Sequence, residues 1–329
     1  MHRNRFIGLS LLIAALAATA SGAFGADEAL LRCRFKAGES YLIVTNLDQD
    51  IRQTIDGREN NMKQVLRLEM GLDVVRLNDD GSADVKVTYR RFTIRQQSQM
   101  GDLDYDSGDF EERKQQEKEK EKQREEARKQ GRPYKEEYVH PAFAGFDALA
   151  TKSFGATMDD RARITAVRGV KELAEALLKK VPAGPGREVT RKQLDRMLSQ
   201  ENLAQQMGAL GATCPEKPVR KGDTWDKEQT MDVGFAKLTT KTKYKVENIT
   251  NDVVEVSMTG TIASDAADGG EMTIRIDRGT QTGAMKIERG NAILTDADIR
   301  QKMKMTVTVR NMTIDMTLDG AAKMSVVRK

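Results

Sequence analysis

The residues able to do chemistry are few and scattered. The 329-residue chain holds two His, two Cys and 16 Met. His2 lies in the N-terminal leader, so His140, in Tyr138-Val-His-Pro141, is the one imidazole left to act as a general base. It stands between a charged stretch and a proline, as a loop residue does. Gly-x-Ser-x-Gly, His-Glu-x-x-His, a phosphate-binding loop and a dinucleotide fingerprint are all absent from the sequence. Acids are plentiful enough for a paired-carboxylate mechanism, but their spacing singles out no pair. Asp102-Leu-Asp104-Tyr-Asp106-Ser-Gly108 approaches a calcium loop. Its glycine falls one place late and position twelve is Arg113 instead of Glu, so an alternating strand with acidic outward side chains accounts for it better. Thioethers suit Cu(I), but Met303-Lys-Met305 and Met312 to Met316 lack histidine partners and fall on core positions, where Met fills gaps. No catalytic residue, no metal site and no cofactor are expected, and the chain reads as a non-enzyme.

The elements that must position these residues begin after a leader. Residues 1–25 read as a signal peptide: Arg3 and Arg5 precede an uncharged apolar run from Phe6 to Ala20, and Ala23-Phe24-Gly25 offers small residues before a cut at Ala26. No second apolar stretch follows, so the mature chain (26–329) is expected to lack a transmembrane segment and to be periplasmic or extracellular. That compartment permits disulfides, and Cys33 with Cys214 can make one bridge, the alternative being two buried thiols.

The dominant period is two. Leu66, Leu68, Met70, Leu72 and Val74 alternate with polar residues; Val85, Val87 and Tyr89 do so too, and Phe92 and Ile94 continue on the other parity. The slip at Arg90-Arg91 predicts a β-bulge, and Asn78-Asp-Asp-Gly81 supplies the turn between the two strands. Alternation recurs at Leu238–Val246, Met303–Val309 and Met312–Leu318, the last two meeting in a hairpin at Arg310-Asn311. One buried and one wet face is the mark of antiparallel sheet. A weak repeat lies beneath: Phe35-x-x-Gly38-x-x-Tyr41 matches Val219-x-x-Gly222-x-x-Trp225. The pattern predicts one β-rich domain with similar halves at about 30–108 and 217–327, joined by a helical connector at 169–210. Val170, Leu173, Ala174, Leu177 and Leu178 carry helical spacing, and Thr190-Arg-Lys-Gln193 opens a second helix.

Residues 110–130 carry no apolar stripe, and their acids nearly cancel their bases. Pairs such as Glu125–Lys129 support a solvated helix of about 30 Å, with Asp109 as its cap. The insertion 110–137 therefore reads as a solvated spacer or partly disordered arm, the alternative being a contact arm for a charged protein partner. Over the whole chain 54 Lys+Arg face 50 Asp+Glu, which leaves no basic field for nucleic acid.

Together, Phe35-x-x-Gly38-x-x-Tyr41, Tyr105-Asp-Ser107, Phe154 with its Asp-rich turn, Val219-x-x-Gly222-Asp-Thr-Trp225, Ile287-Glu-Arg-Gly290 and the Met/Thr-alternating C-terminal hairpin resemble a secreted bacterial family, domain of unknown function 6263. The resemblance runs from Leu31 to Val327, and the insertion at 110–137 departs from it. It implies an exported β-rich protein and brings no catalytic residues with it.

The expected fold is α+β. Long antiparallel strands form a strongly curved sheet or open barrel, with the connecting helices packed on it; two stacked β-subdomains are the alternative. The expected function is binding of an apolar ligand, a lipid or acyl chain, on a concave face lined by Leu66, Leu68, Met70, Leu72, Met303, Met305, Met312 and Met316. The other reading is a structural envelope protein with a filled core that acts through protein partners.

Overall fold

The computed structural model describes residues 28–32, 34–55, 57–99, 101–134, 149–179, 187, 191, 214–232, 236–266, 272–309 and 312–329. The leader, Cys33, His140, the second connector helix and the two loop residues of the last hairpin lie outside the described residues.

The elements in chain order are β1 (Glu28–Ala29), β2 (Ser40–Ile55), β3 (Arg58–Leu77), β4 (Ala83–Ser98), β5 (Leu103–Asp106), α1 (Phe110–Lys129), β6 (Ser153–Met158), β7 (Ile164–Arg168), α2 (Val170–Lys179), β8 (Val219–Arg220), β9 (Thr224–Asp232), β10 (Ala236–Ile249), β11 (Val253–Ala266), β12 (Met272–Glu288), β13 (Leu294–Val309) and β14 (Met312–Arg328). A 12-stranded antiparallel sheet dominates, in the order β7-β6-β4-β3-β2-β14-β13-β12-β11-β10-β9, with β5 also on β4. Its path does not close, so among the described residues β7 and β9 remain edges and the sheet is not a barrel.

Chain connectivity nevertheless forces it to curl. Glu216 is held by Arg161 of the β6–β7 turn at 2.9 Å. Thr224, eight residues on, opens β9 at the far edge. Eight residues reach at most about 28 Å, whereas strands laid flat would put those points about 45 Å apart. At that end β1 pairs with β8, and Leu31, Phe35, Cys214 and Val219 join the core. The Cys214 thiol is buried, and burial pushes its pKa up to about 12.

The two Gly-containing turns are built alike. Gly38 (φ 84) donates to the Val74 carbonyl at 2.8 Å, Val74 donates to the Glu39 carbonyl at 2.8 Å, and Glu39 donates to that of Lys36 at 3.1 Å. Gly222 (φ 90), Val246 and Asp223 repeat the pattern at 2.8, 2.9 and 3.0 Å, the last onto Arg220. Positive φ is the reason for glycine at both places. Tyr41 then faces Leu72, and Trp225 faces Tyr244 with ring centroids 5.3 Å apart. Further along, Ala162 (φ 54) and Ala292 (φ 44) shape the β6–β7 and β12–β13 turns, both fully buried. Strands β2-β3-β4-β6-β7 and β9-β10-β11-β12-β13 thus run in the same order along the sheet, with β14 between them, as a rotation about the axis of the curled sheet would generate.

The predicted bulge is present: Glu69 faces Arg91 and Met70 faces Tyr89, leaving Arg90 as the extra residue. Arg90 turns to lie over the Phe110 ring at 4.4 Å, at the root of α1. The Asp109 side chain caps α1 by accepting from the Glu111 N–H at 2.9 Å; acids fill the first turn and bases the last, and no residue of the helix is buried. Its length at 1.5 Å per residue is about 30 Å.

The sheet's outer face is charged. Lys302–Asp319 at 3.0 Å, Lys241–Glu228 at 3.2 Å and Lys63–Asp50 at 3.7 Å bridge neighbouring strands there. A transmembrane barrel turns an apolar band outward; these strands do the opposite. No helix among the described residues is long and apolar enough to cross a membrane.

Candidate functional site

Register fixes what each inward residue meets. One transverse row runs Ile94, Leu66, Leu47, Ala322, Ile299, Gly283, Met258 and Tyr244 across β4, β3, β2, β14, β13, β12, β11 and β10. It belongs to the larger core, which fills the end of the sheet near the Gly38 and Gly222 turns. Two residues toward the other end of each strand, the row is Gln96, Gln64, Gln49, Gly320, Gln301, Gln281, Gly260 and Thr242. Two residues further it is apolar again: Met62, Ile51, Leu318, Met303, Gly279 and Ile262.

A belt of carboxamides therefore divides the interior. Gln49 is 6% exposed, Gln64 4%, Gln281 6% and Thr242 5%. The glycines let the side chains lie flat: a Cβ at Gly260 would sit 3.1 Å from both Cγ and Nε2 of Gln281, which reaches across that position. In the half of the belt on β10–β13 the amides satisfy one another. Gln301 Nε2 donates to Gln281 Oε1 at 3.4 Å, and Gln281 Nε2 donates to Thr242 Oγ1 at 2.6 Å. In the half on β2–β4, Gln64 Nε2 donates to Gln96 at 3.5 Å, while Gln64 Oε1 and Gln49 Oε1 have no partner. Thr45 Oγ1 and Asn60 Oδ1, on the same two strands, also lack one.

The belt separates the eight sequence-predicted lining residues into two groups. Leu66, Leu68, Met70 and Leu72 sit in the filled core, 4, 6, 9 and 0% exposed. Met305 is buried in the smaller cluster with Ile51, Ala236, Ile274, Val307, Ile314 and Leu318. Met303, Met312 and Met316 pack around that cluster but stay half-buried, as do Met62, Leu238 and Ile276. Sequence reasoning passed over the glutamines. Their one signal is that each interrupts an apolar alternation, as Gln64 does between Met62 and Leu66.

An open groove of about 940 Å³ runs over β14, β2, β3 and the end of β4, mainly on the charged outer face. Most of its lining is of the outer parity, Asp50, Arg52, Asn61, Lys63, Lys304 and Asp315 among them, and only a minority, including Ile51, Met62 and Met316, has the inward parity. At the filled end polar groups serve the fold. Tyr41 donates to the Glu39 carboxylate, which also holds Arg328 at 2.6 Å; burial, then that carboxylate, push the phenol well above its usual range. On β4, Thr157 donates to Asp84 at 2.7 Å, and Arg168 and Arg76 approach it at 2.8 and 2.6 Å. The Thr157 hydrogen bond, with the two arginines, holds Asp84 well below the ordinary carboxylate range.

Asp104 and Asp106, read as near-ligands for calcium, lie on β5 and pair with Arg95 at 3.2 Å and Arg91 at 2.5 Å. No group of three His, Cys, Asp or Glu able to hold a metal occurs among the described residues. Carboxamides are neither acids nor nucleophiles at neutral pH, but they donate and accept hydrogen bonds.

Among solved structures, the chain is similar to lipovitellin, in a study of lipid–protein interactions, at 10% identity and a TM-score of 0.42; 89% of this chain is covered but only 25% of that one. It is similar to an outer membrane channel from Pseudomonas putida F1 at 9% identity and a TM-score of 0.25, with 90% and 97% covered. The translocator domain of the autotransporter NalP from Neisseria meningitidis follows at 6% identity and a TM-score of 0.20, with 88% and 89% covered. At such scores none of them assigns a fold or a ligand to this chain. No curated protein matches it. The profile of a family of unknown function, DUF6263, matches residues 80–294, well over half the sequence, and the chain belongs to that family.

Proposed function

We propose that this is an exported, non-catalytic envelope protein that binds a lipid or other acyl-chain ligand at the Met-lined end of its curled sheet. The observation that carries the reading is the half-buried inner-face patch of Met62, Met303, Met312 and Met316 with Leu238 and Ile276. Contiguous apolar surface left uncovered in a water-soluble fold marks a binding site. Flexible thioethers adapt to chains of varying shape. From Gln301 to Val309 the inner face of β13 extends about 26 Å at 3.3 Å per residue, enough for an acyl chain laid along the strand. Leu66 to Leu72 support the site from behind the glutamine belt and do not touch the ligand.

Native mass spectrometry of the protein purified from its own envelope, followed by organic extraction, tests this. A stoichiometric lipid is the expected result. A bare mass would favour the second reading, a scaffold working through protein partners, for which α1 is the relevant surface: none of its 20 residues is buried.

A further inference from the structure

We infer that Lys227, the charge at the end of the glutamine belt, receives the head of the ligand, and that the ligand is a long-chain carboxylate. This rests on the acyl-ligand reading above. Lys227 lies on the edge strand β9 opposite Thr242, between Trp225 opposite Tyr244 and Gln229 opposite Thr240. That register sets it in the belt row and turns its side chain inward. It is half-buried, whereas Asp226 and Glu228 on either side are exposed.

Among the described residues, every other inward position of the large sheet away from strand ends is uncharged. The remaining charges face outward and pair there. On β9 itself Glu228 pairs with Lys241 at 3.2 Å and Asp226 with Lys243 at 3.8 Å. No ion pair or hydrogen bond holds Lys227. The charged and titratable groups that feel it lie at the filled end. Burial raises the Cys214 thiol, and Arg32, then Lys227, oppose that rise. Glu216 also feels Lys227, but its carboxylate is 70% exposed and engaged by Arg161 at 2.9 Å.

A cation turned toward an apolar interior is unfavourable until an anion pairs with it. The next row toward the open end runs Gln229, Thr240, Ile262, Gly279, Met303, Leu318, Ile51 and Met62. From β9 to β13 is four strand spacings, about 19 Å along the sheet. A chain with its head at Lys227 therefore lays its tail on the methionines and does not cross the belt. No second inward base and no arginine fork stand on the sheet beside Lys227 to match a phosphate, so a singly charged carboxylate is the head that fits. An inward charge on an edge strand also discourages pairing between molecules, and the test separates that role from binding.

The test is displacement of an uncharged fluorescent acyl ester from the full mature protein by dodecanoate and by 1-dodecanol. The wild type should bind dodecanoate about tenfold more tightly than the alcohol, the size of one charge-assisted hydrogen bond at a half-buried site. Lys227→Met keeps the apolar stem and should erase that preference while leaving the alcohol's affinity unchanged. Lys227→Arg should retain it. Equal affinity for the two compounds in the wild type would overturn the inference and leave the ligand reading standing. A preference that survives in Lys227→Met would also overturn it, and aggregation of that variant with unchanged selectivity would make Lys227 an edge guard. If Lys227→Met does not fold, Lys227→Gln and the wild-type ratio decide. If the ester itself does not bind, the ligand reading falls, and the role of Lys227 falls with it.

Discussion

Leu72→Ala and Met316→Ala remove side chains of similar size from one continuous inner face, yet the structure requires opposite consequences. Leu72 is 0% exposed in the filled core. Its truncation forfeits about 2.4 kcal/mol at about 0.8 kcal/mol per methylene-sized group. A residual void of about 50 Å³ adds about 1.2 kcal/mol, so the loss is about 3.6 kcal/mol. Met316 is half-buried on the smaller cluster. Half the transfer term is about 1.2 kcal/mol, and an open site leaves no sealed void. Urea unfolding followed by circular dichroism, with stability taken from slope and midpoint, should separate the variants by about 2.4 kcal/mol. Acyl-probe binding should show the reverse order: unchanged in Leu72→Ala below its unfolding range, and weakened several-fold in Met316→Ala. Equal stability losses, or a binding defect confined to Leu72→Ala, would refute the division of the interior into a core and a ligand end.

Other consequences are testable in the same way. The folded Asp84 carboxyl has a lowered pKa, so its contribution is present above the unfolded value near pH 4 and is lost as pH falls through the folded value. Asp84→Asn should therefore lower stability by about 1.5–3 kcal/mol at pH 7, and its gap to the wild type should shrink below about pH 4; a gap constant down to pH 2 would contradict the Thr157–Arg168–Arg76 assignment. A Cβ at Gly279 would lie 2.5 Å from the Ile262 carbonyl oxygen, so Gly279→Ala should destabilise by about 1–3 kcal/mol, more than Gly320→Ala, whose Cβ would press on the movable end of the Leu318 side chain at 3.3 Å. Replacing 111–131 by a Gly/Ser linker removes no buried residue and should shift the thermal midpoint by less than about 3 °C; a larger drop would give α1 a structural role.

Strands, turns and the bulge were legible because each is written locally. The parity slip between Tyr89 and Phe92 is a covalent fact of the sequence, and Asn78–Gly81 carries its own turn chemistry. The two matching turns were legible from glycines three residues before aromatics. Sheet order and curl were not, because neither β14 inserting between β2 and β13 nor the reach from Glu216 to Thr224 follows from periodicity. The placement of the candidate residues in two environments was not legible in composition. Leu66 and Met303 carry the same inward pattern, and only register shows Gln64, Gln49 and Gln301 standing between their environments. A lone glutamine in a strand reads as tolerated polarity; five in one row across β4, β3, β2, β13 and β12 become an element of design only once pairing is known.

The central claim is that an acyl chain occupies the Met-lined end and stops at the glutamine belt. Photo-crosslinking with a diazirine-bearing acyl chain, followed by peptide mapping, tests it most directly. Label on Ile51–Met62 and Met303–Met316, with none on Leu66–Leu72, is the result expected. Label on Leu66–Leu72, or confined to the charged outer face, would contradict it.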